Sequence, residues 1–290
     1  MTVYTGHLRK MQVHYEDSSK PVEYFLNLAD SEGKAAEQGI AINALLGQSL
    51  SIQYKQEIHC VACARKTKKS FNQGYCYPCF TRLAACDQCI MSPEKCHYEQ
   101  GTCREPQWGL DNCMQKHYVY LANSSGLKVG ITRGNQVPTR WIDQGAVQAL
   151  PVFQVSSRYY SGLLEVLYKQ EISDRTQWQR MLKGQVEAVD LLQKQQELYE
   201  QFADQVGQLA AQLPEHAIIH LDHDAITEIV YPVLENPQKI KSFNLDKQPL
   251  VEGTLMGIKG QYLILDTGVL NIRKFSGYHV DFTSNVAPLY

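Results

Sequence analysis

The chain has 290 residues, a formal net charge of −2 and a hydrophobic content of 44%, so it is long enough for two or three domains with buried cores. No stretch approaches the length of a membrane-spanning apolar segment, and the first ten residues lack the apolar core of a signal peptide. We therefore expect no membrane partner and no secretion. The nine cysteines cluster in pairs spaced for metal, which indicates reduced thiols and a cytoplasmic location.

Basic residues are concentrated in the middle of the chain. Between Cys60 and Arg140 there are eleven lysines and arginines and five acidic residues, although the whole chain is slightly acidic. This distribution is compatible with a surface that faces nucleic acid, so DNA or RNA is the partner that we expect. The alternative is a solvated surface on which the charges cluster by chance.

Residues 1–59 are predicted to form a β-rich segment without a reactive group of side chains. Strand-forming residues lie on both sides of a turn at residues 17–19. Residues 40–46 are predicted to form a short helix, and residues 49–58 return to the alternation that is typical of a strand.

Residues 60–115 form a cysteine-rich segment that predicts bound zinc. Cys60-x2-Cys63 is followed by Cys76-x2-Cys79, and two such short loops can offer four thiolates to one tetrahedral ion. The alternative is four free structural cysteines.

A basic loop with the sequence RKTKKSF lies between these two cysteine pairs, at residues 65–71. Its charges could contact phosphates while Phe71 stacks on a base. The alternative is a solvated loop in which Phe71 packs under the zinc-binding segment.

A second set of thiols follows within the same segment. We predict a second zinc ion held by Cys86, Cys89, Cys96 and Cys103, with Cys113 as the first substitute and with His97 and His117 also open as ligands. The segment has few large aliphatic residues, so metal is expected to supply much of its folding free energy. The expected total is two structural zinc ions per chain.

Residues 116–183 predict a β-hairpin that leads into a helix. Residues 118–122 alternate as a strand, turn-forming residues follow, and residues 127–132 form a second strand. Pro138 opens a helix that carries Arg140. A third strand is predicted next, at residues 148–156, and Pro151 interrupts it. An amphipathic helix that carries Glu165 is predicted to begin at Ser161.

This order of elements resembles the core of the GIY-YIG nuclease superfamily. The matching residues are Val119-Tyr120, Lys128-Val129-Gly130, Thr132, Asn135, Arg140 and Glu165. The chain is similar to a divergent branch, within a bacterial family that places a cysteine-rich segment in front. The resemblance implies an α+β fold in which a small antiparallel sheet with helices is preceded by zinc ribbons and flanked by β-rich terminal segments.

The resemblance also implies a chemistry. In GIY-YIG nucleases a tyrosine helps to activate the attacking water, an arginine stabilises the charged phosphate and one glutamate binds a divalent ion. The catalytic candidates are therefore Tyr120, Lys128, Arg140 and Glu165, with Glu165 holding magnesium or manganese. Lys128 replaces the second tyrosine of the superfamily, and the asparagine that often follows the glutamate is missing, since the first asparagine after Glu165 is Asn236.

The rest of the chain is predicted to be a helical segment at 184–237 and a β-rich segment at 238–290. A long apolar stripe from Gln185 to Leu213 predicts a helix that packs on its own protein, with a coiled-coil dimer as the alternative. The sequence His220–Asp224 contains metal-ligand residue types but is more typical of a turn. The C-terminal segment is expected to pair with residues 1–59 in one barrel-like domain.

The function that these observations favour is a zinc-containing nucleic-acid-binding protein with a GIY-YIG-like domain that acts as a divalent-metal-dependent endonuclease. The alternative is a non-catalytic zinc-ribbon protein that binds nucleic acid or serves as an adaptor. The oligomeric state is left open.

Overall fold

The structure is a computed structural model that describes residues 2–37, 39–222 and 225–284. It divides into two compact units. Unit 1 comprises residues 1–81, 182–184 and 229–290, and unit 2 comprises residues 82–181 and 185–228. The predicted cysteine-rich segment is thus shared between the two units.

The fold is mixed α/β, and its strand ladders are antiparallel, as expected from the resemblance. The strands are, in chain order, β1 (Thr2–Leu8), β2 (Gln12–His14), β3 (Glu23–Leu26), β4 (Leu28–Ala29), β5 (Ile40–Ala41), β6 (Ser49–His59), β7 (Lys66–Thr67), β8 (His117–Asn123), β9 (Leu127–Arg133), β10 (Gln148–Val155), β11 (Ile218–His220), β12 (Thr227–Glu228), β13 (Leu250–Lys259), β14 (Tyr262–Leu265), β15 (Gly268–Asn271) and β16 (Tyr278–Ser284).

The helices are mostly short. They are α1 (Tyr77–Arg82), α2 (Gln88–Met91), α3 (Pro106–Asn112), α4 (Thr139–Asp143), α5 (Arg158–Tyr168), α6 (Trp178–Leu182) and α7 (Leu191–Ala211). Within the described residues, no helix is both long enough and apolar enough to cross a membrane.

Unit 1 is built on one large sheet in the order β15-β14-β13-β6-β16-β1-β4, with β7 paired to β6. In the middle of this sheet, strands from the beginning of the chain lie next to strands from its end. β1 pairs with β16, and β6 pairs with both β13 and β16. The side chains of β16 are alternately buried and partly exposed, as the two-residue period of a strand requires. A smaller sheet has the order β2-β3-β5.

Unit 2 contains a second sheet, in the order β11-β10-β8-β9, with β12 paired to β10. Helices α5 and α7 pack on it and complete an apolar core. The buried members of this core are Val119, Leu121, Val129, Ile131, Leu150, Val152, Phe153, Val155, Leu164, Tyr168, Leu191, Leu198, Phe202 and Val206. The apolar stripe of α7 therefore packs on its own protein.

Some predicted elements differ from the observed ones for identifiable reasons. Helix α5 begins earlier than predicted, because the Ser157 side chain caps it by accepting a hydrogen bond from the Tyr160 backbone N–H. Strand β10 is not ended by Pro151, since a register shift between Pro151 and Phe153 accommodates that residue.

Two other predicted features have a different outcome. The short helix expected at residues 40–46 is instead strand β5 followed by a 3-10 turn at Asn43–Leu45. In the turn predicted at 220–224, His220 ends β11 and stacks on Tyr199 at 3.7 Å between ring centroids. His223 and Asp224 lie outside the described residues.

Candidate functional site

The first four cysteines lie together as the spacing predicts. The sulfur atoms of Cys60, Cys63, Cys76 and Cys79 are all within 4.8 Å of one another, and those of Cys63 and Cys76 are 3.8 Å apart. Sulfurs bound to one tetrahedral zinc ion at 2.3 Å would be about 3.8 Å apart. The cluster could therefore bind zinc.

Backbone groups shape this cluster before any metal is considered. The backbone N–H of Cys76 donates a hydrogen bond to the Cys60 sulfur at 3.2 Å. Burial raises the pKa of the Cys60 thiol, but hydrogen bonds from backbone N–H groups, including those of Cys76 and Ala62, outweigh burial and lower the pKa to about 7. Gly74 has a φ of +128°, and a Cβ atom there would collide with Val61. Glycine at this position therefore permits the tight turn that precedes the second cysteine pair.

Aromatic side chains lie beside the zinc-type cluster, which is the group of Cys60, Cys63, Cys76 and Cys79. The Phe71 ring lies 5.5 Å from that of Tyr77 and 5.6 Å from that of Phe80, and the Lys69 ammonium is 5.2 Å from the Phe71 centroid. Tyr77 is 60% exposed, whereas Phe71 is half-buried. The exposed aromatic face is thus that of Tyr77, with Phe71 packed beside it.

The second set of thiols lies in unit 2 and is less regular. The side chains of Cys89 and Cys96 interact with each other. Cys89 also belongs, with Asp87 and His97, to a group whose ligand atoms are within 4.8 Å of one another. Cys86, Cys96 and Cys103 belong to neither of the two compact ligand groups found among the described residues, and the same is true of Cys113. The predicted set of Cys86, Cys89, Cys96 and Cys103 is therefore not gathered as the first set is.

A buried polar group lies on one face of the hairpin β8–β9. Tyr120 pairs with Gly130 and Ala122 with Lys128 across the ladder, so Tyr120 and Lys128 are diagonal neighbours on one face. The Tyr120 hydroxyl and the Lys128 ammonium both donate hydrogen bonds to Oε1 of Gln144, each at 2.8 Å. Glycine is required at position 130 because a Cβ atom there would lie 2.6 Å from the Tyr120 hydroxyl.

Arg140 and Glu165 complete this group. Arg140 interacts with the Tyr120 hydroxyl and favours its ionised form. Glu165 interacts electrostatically with Tyr120, Lys128 and Arg140. Arg140 and Glu165 are each partly exposed, whereas Tyr120 and Lys128 are buried. The structure thus brings the four candidates from β8, β9, α4 and α5 within electrostatic reach of one another.

Burial controls the protonation of this group. It raises the pKa of Tyr120 to about 12, although Arg140 opposes the shift. It lowers the pKa of Lys128 to about 8, and the charge of Arg140 lowers it further. Burial also raises the pKa of Glu165. At neutral pH, Tyr120 therefore carries its proton, and Lys128 loses its proton far more readily than an exposed lysine.

Three contributing residues were not predicted from the sequence. Gln144 lies four residues after Arg140 on the helix α4 and its C-terminal cap, so the i, i+4 spacing could have indicated it. Arg158 lies two helical turns before Glu165 on α5 and interacts with it electrostatically. Thr176 accepts a hydrogen bond from Lys128 at 3.2 Å, and no local pattern points to it.

The sequence matches one protein family, described as "Protein of unknown function (DUF2797)", over residues 47–280. No curated protein and no solved structure matches the chain. The family match spans most of the chain, including the first four cysteines and the hairpin with its two helices. The protein is therefore a member of the DUF2797 family.

Proposed function

We propose that the protein is a zinc-containing endonuclease that uses a divalent metal ion at a GIY-YIG-like site. The observation that supports the proposal most directly is one cluster of electrostatically interacting side chains, formed by Tyr120, Lys128, Arg140 and Glu165. Phosphodiester cleavage requires positive charge near the phosphoryl oxygens and a carboxylate for a metal ion, and this cluster contains both.

Arg140 and Glu165 are the residues that would contact the substrate, because their side chains are partly exposed. The Arg140 guanidinium suits two-point contact with a phosphate. Glu165 would hold magnesium or manganese, which lowers the pKa of a bound water molecule and stabilises developing negative charge. Water attacks the phosphorus atom, the bond to the departing sugar oxygen breaks, and that oxygen receives a proton.

Tyr120 and Lys128 act in this proposal as positioning residues. Both are buried, and both donate to Gln144. They fix Gln144 and, through the Tyr120 hydroxyl, hold Arg140 in place. A tyrosine with its pKa raised to about 12 is a poor base near neutral pH, so the attacking water would lose its proton to solvent with help from the metal ion.

Zinc and nucleic acid belong to the same proposal. One structural zinc ion would be held by Cys60, Cys63, Cys76 and Cys79, whose sulfur atoms lie together. A second would be held within the thiol set of unit 2. The exposed ring of Tyr77 and the ammonium of Lys69 beside Phe71 suit stacking on a base and contact with a phosphate of DNA or RNA. No disulfide links any of the nine cysteines, all of which are among the described residues, and this fits a cytoplasmic protein.

A second candidate function is nucleic-acid binding without cleavage, as a zinc-ribbon binding or adaptor protein. The observation in its favour is the burial of Tyr120 and Lys128, which leaves only Arg140 and Glu165 of the four candidates partly exposed. Binding would then depend on the aromatic and basic side chains near the first four cysteines.

The two functions are separated by a cleavage assay on single-stranded, double-stranded and branched DNA and RNA with magnesium or manganese. We expect Glu165→Gln and Arg140→Ala each to reduce the cleavage rate about 100-fold or more. Glu171→Gln is the matched control, because Glu171 is exposed just after α5. Cleavage that persists in Glu165→Gln would contradict the proposed site, and tight binding of the wild type without cleavage would support the adaptor.

A further inference from the structure

We infer that the metal site of unit 2 is formed by Cys89, Cys96, Cys103 and Cys113, so that Cys113 replaces the predicted ligand Cys86. The inference rests on the proposed second zinc ion and names its ligands. Nothing in it depends on the nuclease chemistry.

The four thiols form a connected group. The side chains of Cys89 and Cys96 interact directly, and Cys113 interacts electrostatically with Cys89, Cys96 and Cys103. These sulfurs are not all within 4.8 Å of one another, in contrast to the first four cysteines. Metal binding would therefore draw Cys103 and Cys113 toward the pair that is already in contact.

Helix α3 places Cys103 and Cys113 on the same side. The N–H of Cys113 donates to the carbonyl oxygen of Gly109 at 2.7 Å, so these two residues are one helical turn apart. A Cβ atom at Gly109 would lie 3.3 Å from the Cys103 sulfur. The absence of a side chain at Gly109 therefore lets the Cys103 sulfur lie against the helix next to Cys113.

A partly buried arginine lies beside this group and favours negative charge on it. Arg158 begins α5, and its backbone N–H donates to the Cys113 carbonyl oxygen at 2.8 Å. Its guanidinium interacts electrostatically with Cys96 and Cys113, and its Nε atom is buried without a hydrogen-bond partner among the described residues. Burying a cation is costly unless an opposite charge lies nearby. Four thiolates around Zn²⁺ carry a net charge of −2, which compensates Arg158.

The mixed group of Asp87, Cys89 and His97 fits a metal less well. The Asp87 carboxylate already forms an ion pair with Nε of Arg104 at 2.8 Å, and it lies 3.4 Å from Nε2 of His97. It also accepts a hydrogen bond from the Gln88 N–H at 2.6 Å. A metal ion at Asp87 would therefore have to displace the Arg104 guanidinium, so the carboxylate is better explained as part of an ion-pair network.

The same contacts give the site a structural role. The backbone N–H of Arg158 donates to the carbonyl oxygen of Cys113, and its guanidinium interacts electrostatically with Cys96 and Cys113. Arg158 also donates through Nη2 to the carbonyl oxygen of Ile90 at 2.7 Å. The metal site would thus anchor the first turn of α5, the helix that carries Glu165. Loss of the second metal is expected to loosen this turn.

The test is the zinc content of the full chain, purified without chelators, for the wild type and for the matched variants Cys113→Ser and Cys86→Ser. We expect two zinc ions per chain in the wild type and in Cys86→Ser, and one in Cys113→Ser. One zinc ion in the wild type would overturn the second site itself. Two ions in Cys113→Ser and one in Cys86→Ser would overturn the ligand set while leaving the second zinc ion in place.

Cobalt substitution tests the ligands when a variant folds poorly. Absorption from sulfur-to-cobalt charge transfer reports the number of thiolates on the ion, so the wild type loaded with two cobalt ions should show the intensity of two four-thiolate sites. Asp87→Asn and His97→Gln should leave this spectrum and the metal count unchanged. A lower count in either variant would overturn the four-thiolate set in favour of the mixed group.

Discussion

The zinc-type cluster of unit 1, which could bind zinc, and the small sheet of unit 2 differ in how they can be stabilised. Residues 60–79 place four thiols together but contribute few large apolar side chains to a core. The sheet β8–β10 instead buries a continuous apolar core against α5 and α7. A metal-held region depends on a few ligands and one ion, whereas a packed region distributes its stability over many contacts.

The largest effect that would test this difference is loss of the first zinc ion. Cys76→Ser should lower the zinc content by one ion and remove amide-exchange protection from residues 60–80, since structural zinc contributes about 10–16 kcal/mol in zinc-finger peptides. Hydrogen exchange measured by mass spectrometry provides the readout. Chelation of the wild type should have the same effect and re-addition of zinc should reverse it. Unchanged protection of residues 60–80 would show that metal does not stabilise this region.

A core truncation in the sheet should have a smaller effect and leave the first zinc ion in place. Phe153 is fully buried, and its ring lies 5.7 Å from that of Tyr168. Phe153→Ala should lower the free energy of unfolding by about 3–5 kcal/mol, measured by urea denaturation. Val166→Ala is the matched control, because Val166 is 41% exposed on α5 and its loss should cost less than about 0.5 kcal/mol. Equal effects of the two variants would contradict the assignment of the core.

Tryptophan fluorescence separates unit 2 from unit 1 in such measurements. All three tryptophans, Trp108, Trp141 and Trp178, belong to unit 2. The urea midpoint followed by their emission therefore reports the region that contains the sheet, so a change confined to unit 1 should not move it.

The smallest predicted effect concerns the pH dependence of unit 2. Burial lowers the pKa of Lys128 from 10.5 to about 8, so above pH 8 the unfolded chain binds more protons at this residue than the folded chain. The contribution of Lys128 to stability should therefore rise between pH 8 and 9.5, by at most about 1.4 kcal/mol per pH unit. Lys128→Met should remove this rise from the fluorescence-detected free energy of unfolding.

Lys259 is the matched control for that prediction. Burial also lowers its pKa to about 8, but it lies in unit 1. Lys259→Met should leave the pH dependence of the fluorescence signal unchanged. An identical response of the two variants would mean that Lys128 is not the group that titrates in unit 2.

The sequence predicts regular features of this fold better than irregular ones. The regular Cys-x2-Cys pairs of residues 60–79 predict four gathered thiols, and the structure contains them. The hairpin, helix, strand and helix from 117 to 168 also follow local periodicity and turn residues. The second thiol set has unequal spacings, and local periodicity does not encode the position of Cys113 at the end of α3.

The candidate site shows the same limit. Tyr120, Lys128, Arg140 and Glu165 were selected because their order resembles a known pattern. Their dependence on Gln144 arises from side-chain packing across β8, β9 and α4. The burial that shifts the pKa of Lys128 likewise depends on the complete fold. These tertiary effects were not visible in the spacing of the residues along the chain.

The most direct test of the central claim is binding of Mn²⁺ to the zinc-loaded chain, followed by the electron paramagnetic resonance signal of free Mn²⁺. The titration includes a phosphorothioate oligonucleotide, which resists cleavage. We predict one Mn²⁺ bound per wild-type chain, binding at least about 10-fold weaker in Glu165→Gln, and wild-type affinity in Glu171→Gln. Equal Mn²⁺ affinity in the wild type and in Glu165→Gln would contradict the proposal that Glu165 holds a divalent ion.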